Sequence, residues 1–310
     1  RYQTVPKTAR DVITRFSGNP LISIDDMPAE CSDLWNAGVT RFGDEYLLLM
    51  TVETLCGRGS VYVARSKDGL NFSVSSGSFM AALEHGQFSQ YETFGIRDPR
   101  ITAIDGTYYI TYLAESEHGK RVGLARTQDF ESVERMHLIS QPDTKSAALF
   151  PRMLDGRYAM LERPSDGGSI WLIFSDDLVH WGGSTVALTP RGGYWDSNRV
   201  GAAGPPIEIE QGWLLVYYGE KDTSGGSLIR LGAAILDRDD PSKVLGRSNI
   251  PILSPRENYE RIGDVGNLVF SCGALLENDD ELKIYYGASD SCICLGTCSL
   301  EDVVELCLMS

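Results

Sequence analysis

Histidine is scarce in this chain. Four residues, His85, His118, His137 and His180, lie scattered among 310. No run of about 18 apolar residues occurs, so no membrane-spanning helix is expected. The N-terminal "RYQTVPKTARDV" has no apolar core of a signal peptide. Long helical periodicity is also missing; "DPSKVL" and "LEDVVEL" read as short turns at most. Positive charge is in deficit: 28 Lys and Arg face 43 Asp and Glu, a net charge of -15. Such a chain repels nucleic acid and anionic membranes, so neither is an expected partner. Any anion site must be a local basic cluster inside an acidic shell. Paired Cys-x-x-Cys motifs are absent from the seven cysteines, and "SCICLGTCSL" offers no zinc-site spacing. No metal is expected. The cysteines read as small buried hydrophobes in a reducing compartment, which places the protein in the cytoplasm.

What the sequence has is repetition. "AIDGTYYITYLAE" returns as "MLDGRYAMLERPS", "IEQGWLLVYYGEK" and "NDDELKIYYGASD", and "RFGDEYLLLMTVE" precedes them all. Each is a tight turn followed by aromatic and β-branched residues. Asp-Gly supplies the positive φ angles a hairpin needs. A further strand follows each one, ending in Ser or Thr near an acid, as in "ARSKDG" and "ARTQDF". Another is expected before each turn: "NAGVTRF", "DPRITAI", "LFPRML", "GPPIEIE" and "FSCGALL". With one outer strand, each unit has four strands. Five units, spaced by roughly 50–65 residues, predict an all-β, five-bladed β-propeller. It is read as a single domain over 1–310, with 1–18 as an N-terminal extension that packs on a neighbour in a homo-oligomer or on its own propeller. A two-sheet sandwich would leave the five copies unexplained.

A propeller's first strands line the central channel, so residues at their starts converge. Blade one offers Asn36, Glu53 and Arg58; blade two, Arg97, Asp98 and Arg100 in "GIRDPRI"; blade three, Arg152, Arg163 and Asp166. Blade four offers Arg199, Tyr218, Glu220 and Lys221; blade five, Asp264 and Asp290. Arginines from several blades meeting in one cavity repel unless an anion joins them, which points to a small-anion pocket. Nearby carboxylates suit sugar hydroxyls or proton transfer. Each residue alone has a plainer reading. Asp98-Pro99-Arg100 fits a turn with an internal salt bridge, Arg152 and Arg199 fit struts between blades, Arg163 and Asp166 fit a mutual pair, and Tyr218 fits the core.

The combination of "DPR", "FPR", "GRYAMLERPSD", "GAAGPP", "GWLLVYYG", "LDRDDPSKV" and "IYYGASD" resembles glycoside hydrolase family 130 from about Asn19-Pro20 onwards. The resemblance implies a propeller acting on β-mannosides. Most members are inverting phosphorylases that release α-mannose 1-phosphate; others hydrolyse β-1,2-mannosides. It implies Asp98 as the general acid, acting through the 3-hydroxyl of the mannose. It implies a phosphate site at Arg58, Arg152, Arg199 and Tyr218, with Tyr where the family has His. Sugar contacts map to Asn36, Glu53 and Asp290, and the convergent Arg97, Arg163, Asp166 and Asp264 are assigned to the sugar as well. Thr51 stands where an Arg is common. Arg97 stands where β-1,4 enzymes show Tyr, which argues for a β-1,2 linkage over β-1,4. The expected substrates are a manno-oligosaccharide and inorganic phosphate as co-substrate, with no other cofactor. An inverting hydrolase would need a second carboxylate as base, Glu220 or Asp264. A non-catalytic sugar-binding propeller and a furanosidase are the remaining alternatives.

Overall fold

The structure, a computed structural model, describes residues 11–309. The first ten residues of the expected N-terminal extension lie outside them. Blade one comprises Asp33–Phe42, Glu45–Glu53, Gly59–Ser66 and Ser73–Val74. Blade two comprises Gly95–Ile104, Thr107–Ser116, Gly119–Thr127 and Glu134–Leu138. Blade three comprises Thr144–Leu149, Tyr158–Pro164, Ile170–Ser175 and Gly182–Leu188. In blade four the inner strand is split into Arg199–Ala202 and Ile207–Ile209 around Pro205-Pro206, because proline cannot donate to a ladder. Gly212–Thr223, Gly226–Leu236 and Val244–Arg247 complete that blade.

Blade five is closed from the other end of the chain. Val269–Glu277, Glu281–Ala288 and Cys292–Ser299 are joined by Thr14–Arg15, paired at Thr14↔Thr297. The segment from residue 11 onward therefore packs on its own propeller. Arg15 secures it: Nε lies 2.7 Å from Oε1 of Glu260, a carboxylate that is fully buried.

Each blade buries both faces. Along Glu45–Glu53, Leu47 and Leu49 point into the seam with blade two, while Leu48 and Met50 point into the seam with blade five. Along Gly212–Thr223, Trp213, Leu215 and Tyr217 face blade three, and Leu214 and Val216 face blade five. Side chains alternate along a strand, so continuous apolar runs such as "YLLLM" serve two neighbours at once. The core is a ring of five seams, and the axis is left to polar groups.

The sequence reading underestimated one element. Leu300–Leu308 is a nine-residue helix that buries Val303 and Cys307. Ser299 caps it by accepting the Asp302 N–H, with Glu301 and Asp302 in the first turn. Among the described residues no helix is long and apolar enough to cross a membrane.

Candidate active site

The inner strands all begin at the same end of the channel, and two bulges there aim the key side chains. The ladder slips between Trp35 and Ala37, and again between Arg97 and Arg100. Asn36 and Asp98 take left-handed φ angles of 43° and 55°. Such backbone costs about 1–3 kcal/mol per residue, and bulges commonly re-aim a side chain beside a site. Here the result is direct: Asn36 Nδ2 donates to Asp98 Oδ1 at 3.0 Å. The Asp98 N–H donates to Thr51 Oγ1 at 2.9 Å. Close approach requires glycine at Gly38, where a Cβ would strike the Pro99 carbonyl.

Arg100 lies under this carboxylate rather than in the site. It is buried, and it donates to the carbonyls of Ala203 (2.8 Å), Ala202 (3.0 Å) and Asp98 (3.1 Å). It ties blade two to blade four across the axis.

Acidic groups gather on one side of Asp98. Asp290 follows Ser289, and both are left-handed, at 49° and 47°. The pair is fixed from below: Ser289 Oγ donates to the Tyr259 carbonyl at 2.7 Å, and the Ser289 N–H donates to the Leu268 carbonyl at 3.0 Å. Burial and the Asp98 carboxylate push the Asp290 pKa up to about 7, against the pull of Arg97. Glu53 and Asp33 are also raised, first by burial, with Asp264 adding to both. Three buried atoms here lack a hydrogen-bond partner: Asn36 Oδ1, Arg97 Nε and Asp290 Oδ1. Unpaired buried polar atoms are rare and call for a ligand or water. Two acceptors and a donor around one hollow suit sugar hydroxyls.

Cations gather on the other side. Lys145 and Arg163 stand directly opposite each other in the ladder of blade three. Arg163 is buried and donates from Nε to the Tyr218 phenol oxygen at 3.1 Å; Ser146 Oγ lies 2.7 Å from the same oxygen. Gly201 has no side chain, and Tyr218 fills the space a Cβ would need there. Burial alone would raise the Tyr218 pKa, but Arg163 and Lys145 outweigh it and bring it below the ordinary value. For Lys145 the Tyr218 phenol favours the charged form, yet burial and Arg163 prevail and lower its pKa. Among the described residues neither Lys145 nor Arg163 has a carboxylate in a salt bridge. Like charges facing each other across a ladder are destabilising.

The structure thus brings together Asp98, Asn36, Glu53, Arg97, Asp290, Arg163 and Tyr218. It does not bring Arg152 to them. Thr102 of blade two donates to the Leu149 carbonyl, so the end of Thr144–Leu149 is level with residues well down the channel from Asp98. Arg152 comes after that end, forms a bidentate pair with Glu208 at 2.8 and 2.9 Å, and lies over Trp213. It is the strut between blades. Arg58 is exposed on a hairpin and lines a side cavity of about 330 Å³ with Glu84 and Glu92. Arg199 starts its inner strand at the channel end, half exposed, with Nη1 3.4 Å from Glu220 Oε2. Glu220 therefore pairs with Arg199, not with Lys221. Asp166 is exposed, and Arg163 is committed to Tyr218 instead of to it. Asp264 sits on an exposed loop, its N–H donating to Ser291 Oγ at 3.0 Å.

Sequence reasoning passed over Lys145 and Ser146, and did not give Thr51 a role. Lys145 had a signal: it begins an inner strand, as Arg199 does. Thr51→Val removes only the hydroxyl that holds the Asp98 N–H. One lost hydrogen bond of about 0.5–1.5 kcal/mol should lower kcat by roughly two- to tenfold with the fold retained; turnover at saturating substrate measures it.

Comparison with known proteins bears on the family and the fold. A family model described as beta-1,4-mannooligosaccharide phosphorylase matches residues 11–309. A beta-1,2-mannobiose phosphorylase of Listeria innocua is 40% identical over 235 residues, 74% of this chain and 64% of that relative's length. A beta-1,4-mannooligosaccharide phosphorylase of Ruminococcus albus is 30% identical over 98% of this chain and 93% of its own. The crystal structure of a Listeria innocua beta-1,2-mannobiose phosphorylase with beta-1,2-mannobiose superposes with a TM-score of 0.87 at 30% identity, over 96% of this chain and 99% of that one. The sequence motifs, the five blades and these matches converge on one assignment: the chain belongs to glycoside hydrolase family 130.

Proposed function

We propose that this chain catalyses inverting phosphorolysis of terminal β-mannosides in manno-oligosaccharides, releasing α-mannose 1-phosphate. The observation that carries the reading is the Lys145–Arg163 pair, two cations in register without a carboxylate, on the opposite side of Asp98 from the acidic hollow. A phosphate dianion supplies the missing countercharge and is itself the nucleophile. Mannose occupies the hollow of Asn36, Glu53, Arg97 and Asp290. Asp98 delivers its proton, through the 3-hydroxyl of the mannose, to the leaving oxygen as the anomeric C–O bond breaks. A phosphate oxygen forms the new bond from the opposite face, and the proton it sheds restores Asp98. Tyr218 and Ser146 complete the phosphate cradle, with Arg199 at its rim.

Hydrolysis needs a free base beside the anomeric carbon. Glu220 is held by Arg199, and Asp264 lies on an exposed loop in the acidic, sugar-binding side. The linkage favoured is β-1,2 over β-1,4, because the relative named for β-1,2-mannobiose shares more identity where it aligns. The test is to incubate the enzyme with β-1,2-mannobiose with and without phosphate. Mannose 1-phosphate forms only with phosphate, and faster than from β-1,4-mannobiose. Free mannose released at an equal rate without phosphate would overturn the reading.

A further inference from the structure

Inversion places the nucleophile and the departing sugar on opposite sides of the anomeric carbon. With phosphate on the Lys145–Arg163 side, the leaving sugar must lie towards blades one and two. A cleft of about 160 Å³ opens there, lined by Trp35, Glu53, Gly59, Phe94, Arg97 and Glu115. Its volume suits one sugar unit, well below the ~300–1,000 Å³ of sites for drug-sized ligands. The backbones of Gly59 and Gly95 meet as a parallel bridge between the two blades and form its floor. A Cβ on Gly59 would strike the Ile96 carbonyl, so the floor depends on glycine.

The walls carry Phe94 and Glu115, which the chemistry described so far does not use, beside Arg97 at the border with the mannose hollow. Phe94 is a large apolar side chain left 55% exposed, four residues before Asp98. Its own N–H donates to the Glu115 carbonyl at 2.9 Å, so its backbone is fixed at the cleft mouth. Arg97 crosses the cleft with Nη2 3.1 Å from Glu115 Oε2, while its buried Nε has no partner. An exposed ring beside a charged pair matches a pyranose, which has an apolar C–H face and polar edges.

We infer that this cleft is the subsite for the leaving sugar, with Phe94 as its stacking platform and the Arg97–Glu115 pair as its hydroxyl clamp. The inference rests on the phosphorylase reading and adds to it the residues that select the acceptor. In the reverse direction the same subsite binds the incoming mannose, while α-mannose 1-phosphate sets its own mannose in the hollow of Asn36 and Asp290 and its phosphate on the Lys145–Arg163 side. Phe94 holds only acceptor, so the two KM values separate.

The experiment is synthesis from α-mannose 1-phosphate and mannose, followed by phosphate release, in wild type, Phe94→Ala and Phe94→Trp. Phe94→Ala should raise the KM for mannose about tenfold, the size of one lost stacking contact, and leave the KM for mannose 1-phosphate within about twofold. Phe94→Trp should restore the acceptor KM. Equal melting temperatures confirm that each variant is folded, as expected for an exposed side chain. An unchanged acceptor KM in Phe94→Ala, or an equal rise in both KM values, would overturn the subsite alone. Absence of phosphate release by the wild type would overturn the phosphorylase reading and the subsite with it.

Discussion

Asp98→Asn should abolish phosphorolysis, lowering kcat by about 10³-fold or more, within the range of a lost general acid. The substitution keeps the shape of the side chain and deletes the proton it delivers. It leaves the fold nearly untouched, because the support for this residue comes from elsewhere. The Thr51 hydroxyl holds the Asp98 N–H, and Arg100 holds the Asp98 carbonyl. The Asn36 contact survives once one amide turns over, since Asn36 offers both a donor and an acceptor. Sugar binding should therefore persist while turnover is lost. Mannose 1-phosphate release measures the first effect, and calorimetric titration with β-1,2-mannobiose measures the second. Retention of activity within tenfold would place the acid at another residue. Loss of sugar binding with no lost activity per bound complex would reduce Asp98 to a binding role.

Much of the fold was legible because its signals are local. Asp105-Gly106 and Asp155-Gly156 sit at positive φ, 48° with 79° and 48° with 73°, as tight hairpins demand. In blades one to three the Ser or Thr closing the third strand also proved local in its effect, whereas the third strand of blade four ends at Leu236 without one. Ser66 Oγ donates to Asp68 and accepts the Gly69 N–H, and Thr127 with Asp129 and Ser175 with Asp177 repeat the turn. What stayed hidden was register. "LFPRML" reads as an inner strand, but the strand is Thr144–Leu149, and Phe150-Pro151 carry the chain away from its end. Reading the inner strand too late in the chain puts Arg152 at the channel mouth, the place that Lys145 holds in the structure. The N-terminal strand was equally invisible, because its partner Cys292–Ser299 is nearly the whole chain away. Asp98 stands out in the sequence because a three-residue motif marks it; the cluster of Lys145, Ser146, Arg163 and Tyr218 depends on three separate strands meeting, and no local pattern records that.

Their different places in blade three make two cations separable by experiment. Lys145→Met should raise the KM for phosphate on the order of 10- to 100-fold, as expected when a charge-assisted bond of about 1.5–3 kcal/mol is removed. Its effect on stability should run the other way. Without phosphate, Lys145 faces Arg163 across the ladder and gains no salt bridge in return. Removing one of two opposed like charges relieves repulsion, so the variant should melt at a temperature equal to or above the wild type. Added phosphate should then stabilise wild type more than the variant, because a ligand raises stability only by binding the folded state. Arg152→Met should show the mirror image. It breaks an exposed pair with Glu208, worth at most about 1 kcal/mol, and should leave the KM for phosphate unchanged. Two arginine-or-lysine positions within one blade thus give opposite signatures, one costing function and the other only stability. If Lys145→Met lowers the melting temperature and spares phosphate binding while Arg152→Met does the reverse, the phosphate lies at the other end of the channel and the assignment of Asp98 as its opposing acid fails with it.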